Sequence, residues 1–332
     1  MKNIELQSSR QEATRPADRR AVRVTLCIVA FVVTVMLAGY QRRTGPTYPV
    51  TVRAEVAGVP VSGELVRSHG GEGGAVVVLH APDPRARGEI LWRLYPTDHP
   101  WQRIEMARQG EDLLAELPHL PPAGKLEYSV RIRVGDEELV LPPGGKTAVL
   151  RYKGAVPAFI LVPHILCMFI ALVISVRAGL GAIAGESNTG RFVKWVLLFF
   201  VPGGFVLGPL VQKYAFGALW TGWPYGTDWT DNKTLFALLA WILAGVLVKF
   251  APRAERVGVL FAFAMMIAVY LVPHSFRGSE IDWSRTAPPP HVAVPGEPAA
   301  PAGEEGGPAA GPGSAGEQEA PAGTEGAAAT SG

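Results

Sequence analysis

Charged residues are few in this chain, and cysteines are fewer. Asp, Glu, Lys and Arg make up 18% of its 332 residues, where ordinary globular chains carry about a quarter. The two cysteines, Cys27 and Cys167, both lie in apolar runs, outside any C-x-x-C or other metal spacing. That excludes a disulfide framework and a zinc knuckle. Read as buried thiols, they act as small hydrophobes. No basic, aromatic-laced stretch occurs, and the formal net charge is only +2, so nucleic acid is not an expected partner. No catalytic or cofactor motif strong enough to name a reaction is present either.

Apolar residues fill the place that charge leaves, and they are clustered. A helix that crosses a hydrocarbon core needs about 17–25 mostly apolar residues. Five segments meet that need: Ala21 to Tyr40, Pro157 to Val176, Phe192 to Leu210, Thr234 to Phe250 and Val257 to Val272. Arg23, the only charge in the first, is near enough to its end to snorkel. That segment is longer than the apolar run of a cleaved signal peptide and no A-x-A site follows it, so it reads as an uncleaved signal anchor. The third is interrupted at Pro202-Gly203-Gly204 and closed by Gly208-Pro209. Such a break either exposes backbone groups to an ion or substrate or is a kink whose freed carbonyls are satisfied by neighbours.

Orientation is set by Lys and Arg beside the helix ends. Lys2, Arg10, Arg15, Arg19 and Arg20 precede the first segment, and Arg23 stands at its start. Arg177, Arg191 and Lys194 follow the second, and Lys249, Arg253 and Arg256 cluster at the turn between the fourth and the fifth. Five alternating spans place all of these on one side, the cytoplasm, with Arg42 and Arg43 as a minor counter-signal. The N-terminus is then cytoplasmic, while residues 49–152, the 211–233 connection and the C-terminal tail face outward. The Ala, Gly, Pro and Arg bias points to a GC-rich bacterial source, and so to the bacterial cytoplasmic membrane.

Between Pro49 and Tyr152 the periodicity changes from helical to two. From Leu126 to Val134 apolar and polar residues alternate without a miss, and Gly135-Asp136 leads into Glu138 to Leu141 as a hairpin. Val50 to Val56, Ala75 to His80, Ile90 to Leu94, Trp101 to Met106, Leu113 to Leu117 and Thr147 to Arg151 complete seven or eight short strands. That spacing suits a β-sandwich. The fold class expected is an α-helical multi-pass membrane protein of about five spans with an inserted all-β immunoglobulin/fibronectin-like sandwich.

The stretch Leu117-Pro118-His119-Leu120-Pro121-Pro122-Ala123-Gly124-Lys125-Leu126-Glu127-Tyr128 resembles the E–F corner of fibronectin type III domains. The resemblance implies that the Tyr128 hydroxyl bonds back to the corner and that Trp92 takes the place of the family's core tryptophan. It covers about a third of the chain. It implies binding or spacing more often than catalysis, although fold alone does not fix function.

His164 and His274 both end the string Leu-Val-Pro-His, at 161–164 and 271–274. The expected topology places both near the outer interface, on the same side as the aromatic connection from Gln212 to Lys233 and as Arg277, Glu280 and Asp282. Two imidazoles with Asp228, Asp231 or Glu280 are a candidate transition-metal site, or the two His a haem clamp. Each residue also has a plainer role. A helix-end His commonly bonds headgroups or backbone, and Asp231 or Asn232 suits the N-cap of the fourth span. Trp220, Trp223, Trp229, Tyr214 and Tyr225 suit an aromatic belt, and Lys213 and Lys233 interface anchors.

Residues 1–20 are polar, and 286–332 are dominated by Pro, Gly, Ala and Glu. Neither can bury a core, so both are expected to be disordered. The leading functional expectation is an envelope protein embedded in the lipid bilayer whose outer sandwich binds a protein partner or supports an assembly. Alternatives are a membrane redox or metal-handling protein using His164 and His274, and a small transporter using the interruption in the third span.

Overall fold

The computed structural model describes residues 16–273 together with 281, 283 and 286. The tails below 16 and above 286 lie outside the described residues, as do His274, Arg277, Glu280 and Asp282.

Among the described residues, five helices are long and apolar enough to cross a membrane: Arg20–Thr44, Ala158–Ile183, Arg191–Phe216, Trp229–Phe250 and Pro252–Leu271. Helix α1 (Pro16–Thr44) begins inside the stretch expected to be a tail, because Pro16 presets φ for a first turn. Helix α2 (Ala158–Ile183) runs a further two turns beyond the apolar segment and carries Arg177 within it. The third span is α3 (Arg191–Val201), a π-helical turn (Pro202–Leu207) and α4 (Gly208–Phe216) in unbroken succession. Helix α5 (Trp229–Phe250) starts well before the expected Thr234. After a short turn at Pro252–Ala254, α6 (Glu255–Leu271) closes the set. Their shared core includes Phe200, Trp241, Val259 and Met266. Cys27 is not buried as the sequence suggested but exposed on α1, and Cys167 is half-buried.

Between α1 and α2 lie eleven strands in two sheets. They are β1 (Val50–Val56), β2 (Val59–Leu65), β3 (Ser68–Gly70), β4 (Ala75–His80), β5 (Arg87–Leu94), β6 (Gln102–Glu105), β7 (Ala107–Gln109), β8 (Asp112–Leu117), β9 (Lys125–Val134), β10 (Glu137–Leu141) and β11 (Ala148–Lys153). One sheet runs β1-β2-β4-β8-β7. The other runs β3-β11-β9-β5-β6, with β10 also on β9. All ladders are antiparallel except β3 on β11. Strict alternation, as in β4, turns one face of each sheet inward. The inward faces share a core of Trp92, Leu65, Leu79, Ile90, Leu126 and Ile132 among others, each large side chain contributing about 1.5–3 kcal/mol by burial.

Trp92 is thus a core residue, 3% exposed. Tyr128 does not bond back to the 117–124 corner. Its hydroxyl donates to the Val66 carbonyl at 2.8 Å, and the corner carbonyl of Pro118 is taken by the Tyr152 hydroxyl at 2.7 Å. Tyr128 points from mid-strand toward the end of β2, whereas β11 passes directly beside the corner, where Ala123 N–H donates to Tyr152 O at 3.0 Å.

Among the described residues, several contacts tie the sheets to the helical part of the chain. The Gly154 N–H donates to Ala215 O at 3.0 Å, and a β-carbon at Gly154 would overlap the Tyr214 carbonyl, so glycine is required for that approach. The Arg151 guanidinium lies over the Phe216 ring, 4.8 Å from its centroid. Trp283, beyond the end of α6, is buried in the core between the sheets with Ile281 beside it.

Candidate functional site

The sheet-proximal end of the helices gathers most of the polar residues singled out in the sequence. On α2, His164 follows Pro163 and faces the π turn. Pro202 has no N–H to give to the preceding turn, and the widened turn brings the Gly208 N–H to Gly203 O. His164 Nδ1 is also 2.9 Å from Gly203 O. A carbonyl only accepts, so Nδ1 is the donor in this contact. Gly203 allows this packing, because a β-carbon there would come within 2.9 Å of Cys167 Cβ. The interruption in the third span is therefore a satisfied π turn and not a break.

The connection from α4 to α5 folds onto the first turn of α5. Asp228, not Asp231 or Asn232, is the N-cap. Its Oδ1 accepts from Thr230 N at 2.7 Å and from Asp231 N at 3.4 Å. Asp231 Oδ2 instead accepts from Thr221 N at 2.7 Å, and Asn232 Oδ1 from Trp223 N at 2.6 Å. The Thr221 hydroxyl bridges both carboxylates, at 3.3 Å from Asp228 and 3.4 Å from Asp231, and accepts from Gln212 Nε2 at 2.6 Å. Both Asp side chains are buried.

Lys233 is not a surface anchor but is only 4% exposed. Its ammonium donates to Val272 O at 2.5 Å, a carbonyl also 3.5 Å from Gln41 Nε2. The ends of α1, α5 and α6 meet there. Trp223, Tyr225, Trp229 and Tyr214 are exposed at this end, while Trp220 stacks on Phe205 at 5.9 Å.

The structure thus joins Asp228 to Asp231 through Thr221, and sets His164 apart on the π turn. Among the described residues, no three His, Cys, Asp or Glu side chains are grouped to hold a metal ion. His274 and Glu280, the other candidates, lie outside the described residues. Sequence reasoning missed Thr221, Gln212 and the buried role of Lys233. The available signal was Asp228-Trp-Thr-Asp231-Asn-Lys233 at a helix start, where the first-turn N–H groups require acceptors.

At the opposite end, Arg177 Nη2 donates to Glu186 Oε1 at 2.9 Å, holding the Glu186 carboxyl below the usual carboxylate range. Glu255 Oε1 accepts from Gly190 N at 2.6 Å, tying the start of α3 to the start of α6. No protein-family model, curated protein or solved structure matches this chain.

Proposed function

We propose that this is a multi-pass protein of the bacterial cytoplasmic membrane that holds a fibronectin-like sandwich on the outer side and presents it to a protein partner. The main support is the double attachment of the sheets to the helices, through Gly154 on Ala215 and through Trp283 in the core. A sandwich fixed at two points is a rigid platform and not a domain on a tether. The order β2-β4-β8-β7 against β5-β9-β10 and β11 parallels the A-B-E-D and C-F-G sheets of immunoglobulin-type sandwiches.

The far end of the sandwich from Gly154 supplies a preorganised surface. There the loop from Ala81 to Ala86 is fixed by one guanidinium. Arg108 donates to the carbonyls of Ala81 at 3.0 Å, Asp83 at 2.8 Å, Ala86 at 2.8 Å and Gly110 at 3.3 Å. A loop already ordered loses little entropy on binding. The exposed Arg85 at its tip takes a photo-crosslinking residue for the test in living cells. A discrete adduct from position 85, absent from position 64 on the sheet face and lost in Arg108→Ala, supports the reading. No adduct from any distal loop position would sink it.

One observation favours a second reading, a metal or haem protein. With Nδ1 committed to a backbone carbonyl, His164 is set to offer Nε2, the arrangement of many metal-ligating histidines. A stoichiometric metal or a Soret band, lost in the His164→Ala, His274→Ala double variant, would establish it. A colourless, metal-free protein would discard it.

A further inference from the structure

At the end of the helices away from the sheets, α1, α2 and α3 line a half-open pocket of about 270 Å³ whose walls are Cys27, Val173, Ile174, Phe192, Trp195 and Arg177. Five of these present apolar or weakly polar surface and the sixth is cationic. Arg177 is 5% exposed, and its Nε has no hydrogen-bond partner among the described residues. The guanidinium lies over the Phe192 ring at 5.2 Å, and Arg191 lies over the same ring at 4.9 Å. Lys194 stands 5.6 Å from the centroid of the Trp195 ring. Two aromatic walls of the cavity, Phe192 and Trp195, thus each lie against at least one cation.

The surrounding charge is mostly positive. Arg20, Arg23, Arg177, Arg191, Lys194, Lys249, Arg253 and Arg256 gather at this end against Glu186 and Glu255. Both acids are already engaged, Glu186 by Arg177 and Glu255 by the Gly190 N–H. We infer that the cavity is a site for an anionic phospholipid, with part of an acyl chain among the apolar walls and the phosphate on the rim formed by Arg191 and Lys194. An apolar slot with a cationic rim matches an amphiphile whose head is an anion. The inference rests on the membrane reading proposed above, and it goes further by naming a lipid class and a position.

The test uses the full chain in mixed micelles and native mass spectrometry, with phosphatidylglycerol and phosphatidylcholine of identical chains as probes. Wild type should retain phosphatidylglycerol over phosphatidylcholine by about fivefold or more, as expected for one or two basic contacts at a lipid headgroup. The exposed pair Arg191→Gln, Lys194→Gln should bring the two lipids to parity while circular dichroism stays unchanged. Val173→Trp, which fills the cavity, should remove the adduct. Equal retention in wild type, or a preference that survives the paired variant, overturns the proposal. Displacement by glycerol phosphate as effective as by the lipid also overturns it, in favour of a free-phosphate site. Extraction of the chain from membranes at alkaline pH is a separate result and defeats the membrane reading instead.

Discussion

Single residues decide how the polar groups inside this fold are satisfied, and two tyrosines illustrate it. Tyr128 and Tyr152 are core residues whose hydroxyls each hold one carbonyl, Val66 and Pro118. Replacing Tyr128 with Phe leaves the Val66 carbonyl without that donor. The sandwich should lose about 1–3 kcal/mol, read from denaturant unfolding, since a buried polar group left unpaired bears its full desolvation cost. Burial also pushes both phenols above their ordinary value. A raised folded pKa favours the neutral form, so this part of the stability is complete below about pH 10 and is lost as pH climbs beyond it. Absorbance titration should find these two phenols ionising only with unfolding. Phenols that all titrate together near pH 10 would contradict their burial. At the other interior site, Asp228→Ala removes the α5 cap and should cost about 0.5–2 kcal/mol of thermal stability.

Whole elements were unevenly legible. Long apolar runs announced all five helices, because a stretch that must satisfy its own backbone in an apolar surround has few alternatives. Their ends were less visible. Helix α5 begins at Trp229 because Asp228 caps it, and a hydropathy window sees only the later apolar residues. Strands with clean alternation, such as β4 and β9, were readable, but β2 and β3 were not. Strand β2 contains Pro60 and Gly63, both depleted in strands. The β1–β2 hairpin turns on Ala57-Gly58, both at positive φ, in place of the more familiar Asn-Gly.

The π turn was half legible. Pro202-Gly203-Gly204 signalled an irregularity, while its partner His164 lies 39 residues away on another helix. Removing that imidazole in His164→Ala leaves the Gly203 carbonyl with the Gly208 N–H alone. The bundle should lose about 0.5–2 kcal/mol, the usual worth of an interhelical hydrogen bond in membrane proteins. Unfolding in mixed micelles would measure it, and an unchanged midpoint would show that the bond is dispensable.

The whole molecule is constrained by a closure condition that no single element carries. Gly154, at the end of the sheets, touches Ala215 at the end of the third span, and Trp283, beyond the fifth, lies in the sheet core. Arg256 Nη2 reaches Ile183 O at 3.4 Å and Glu255 reaches Gly190, joining the second, third and fifth helices at the other end. If the chain turned back at Pro202, Phe216 would finish beside Arg177 and could not sit under Arg151. The continuous π turn is therefore what lets the five long helices return the chain to its own sheets. Trp283 was the least legible residue of all, a lone tryptophan in a polar run whose partner surface exists only after folding.

Charge agrees with this geometry from an independent direction, since most of the arginine-rich helix ends lie away from the sheets, Arg42 and Arg43 at the end of α1 excepted. In a Cys27→Ala, Cys167→Ala background, a cysteine at exposed Lys146 should react with an impermeant maleimide on intact spheroplasts. One at exposed Arg253 should react only after the membrane is opened. Labelling of both from outside would break the five-span arrangement. Labelling of Arg253 alone would invert it, carrying the sandwich and every partner proposed for it to the cytoplasmic side.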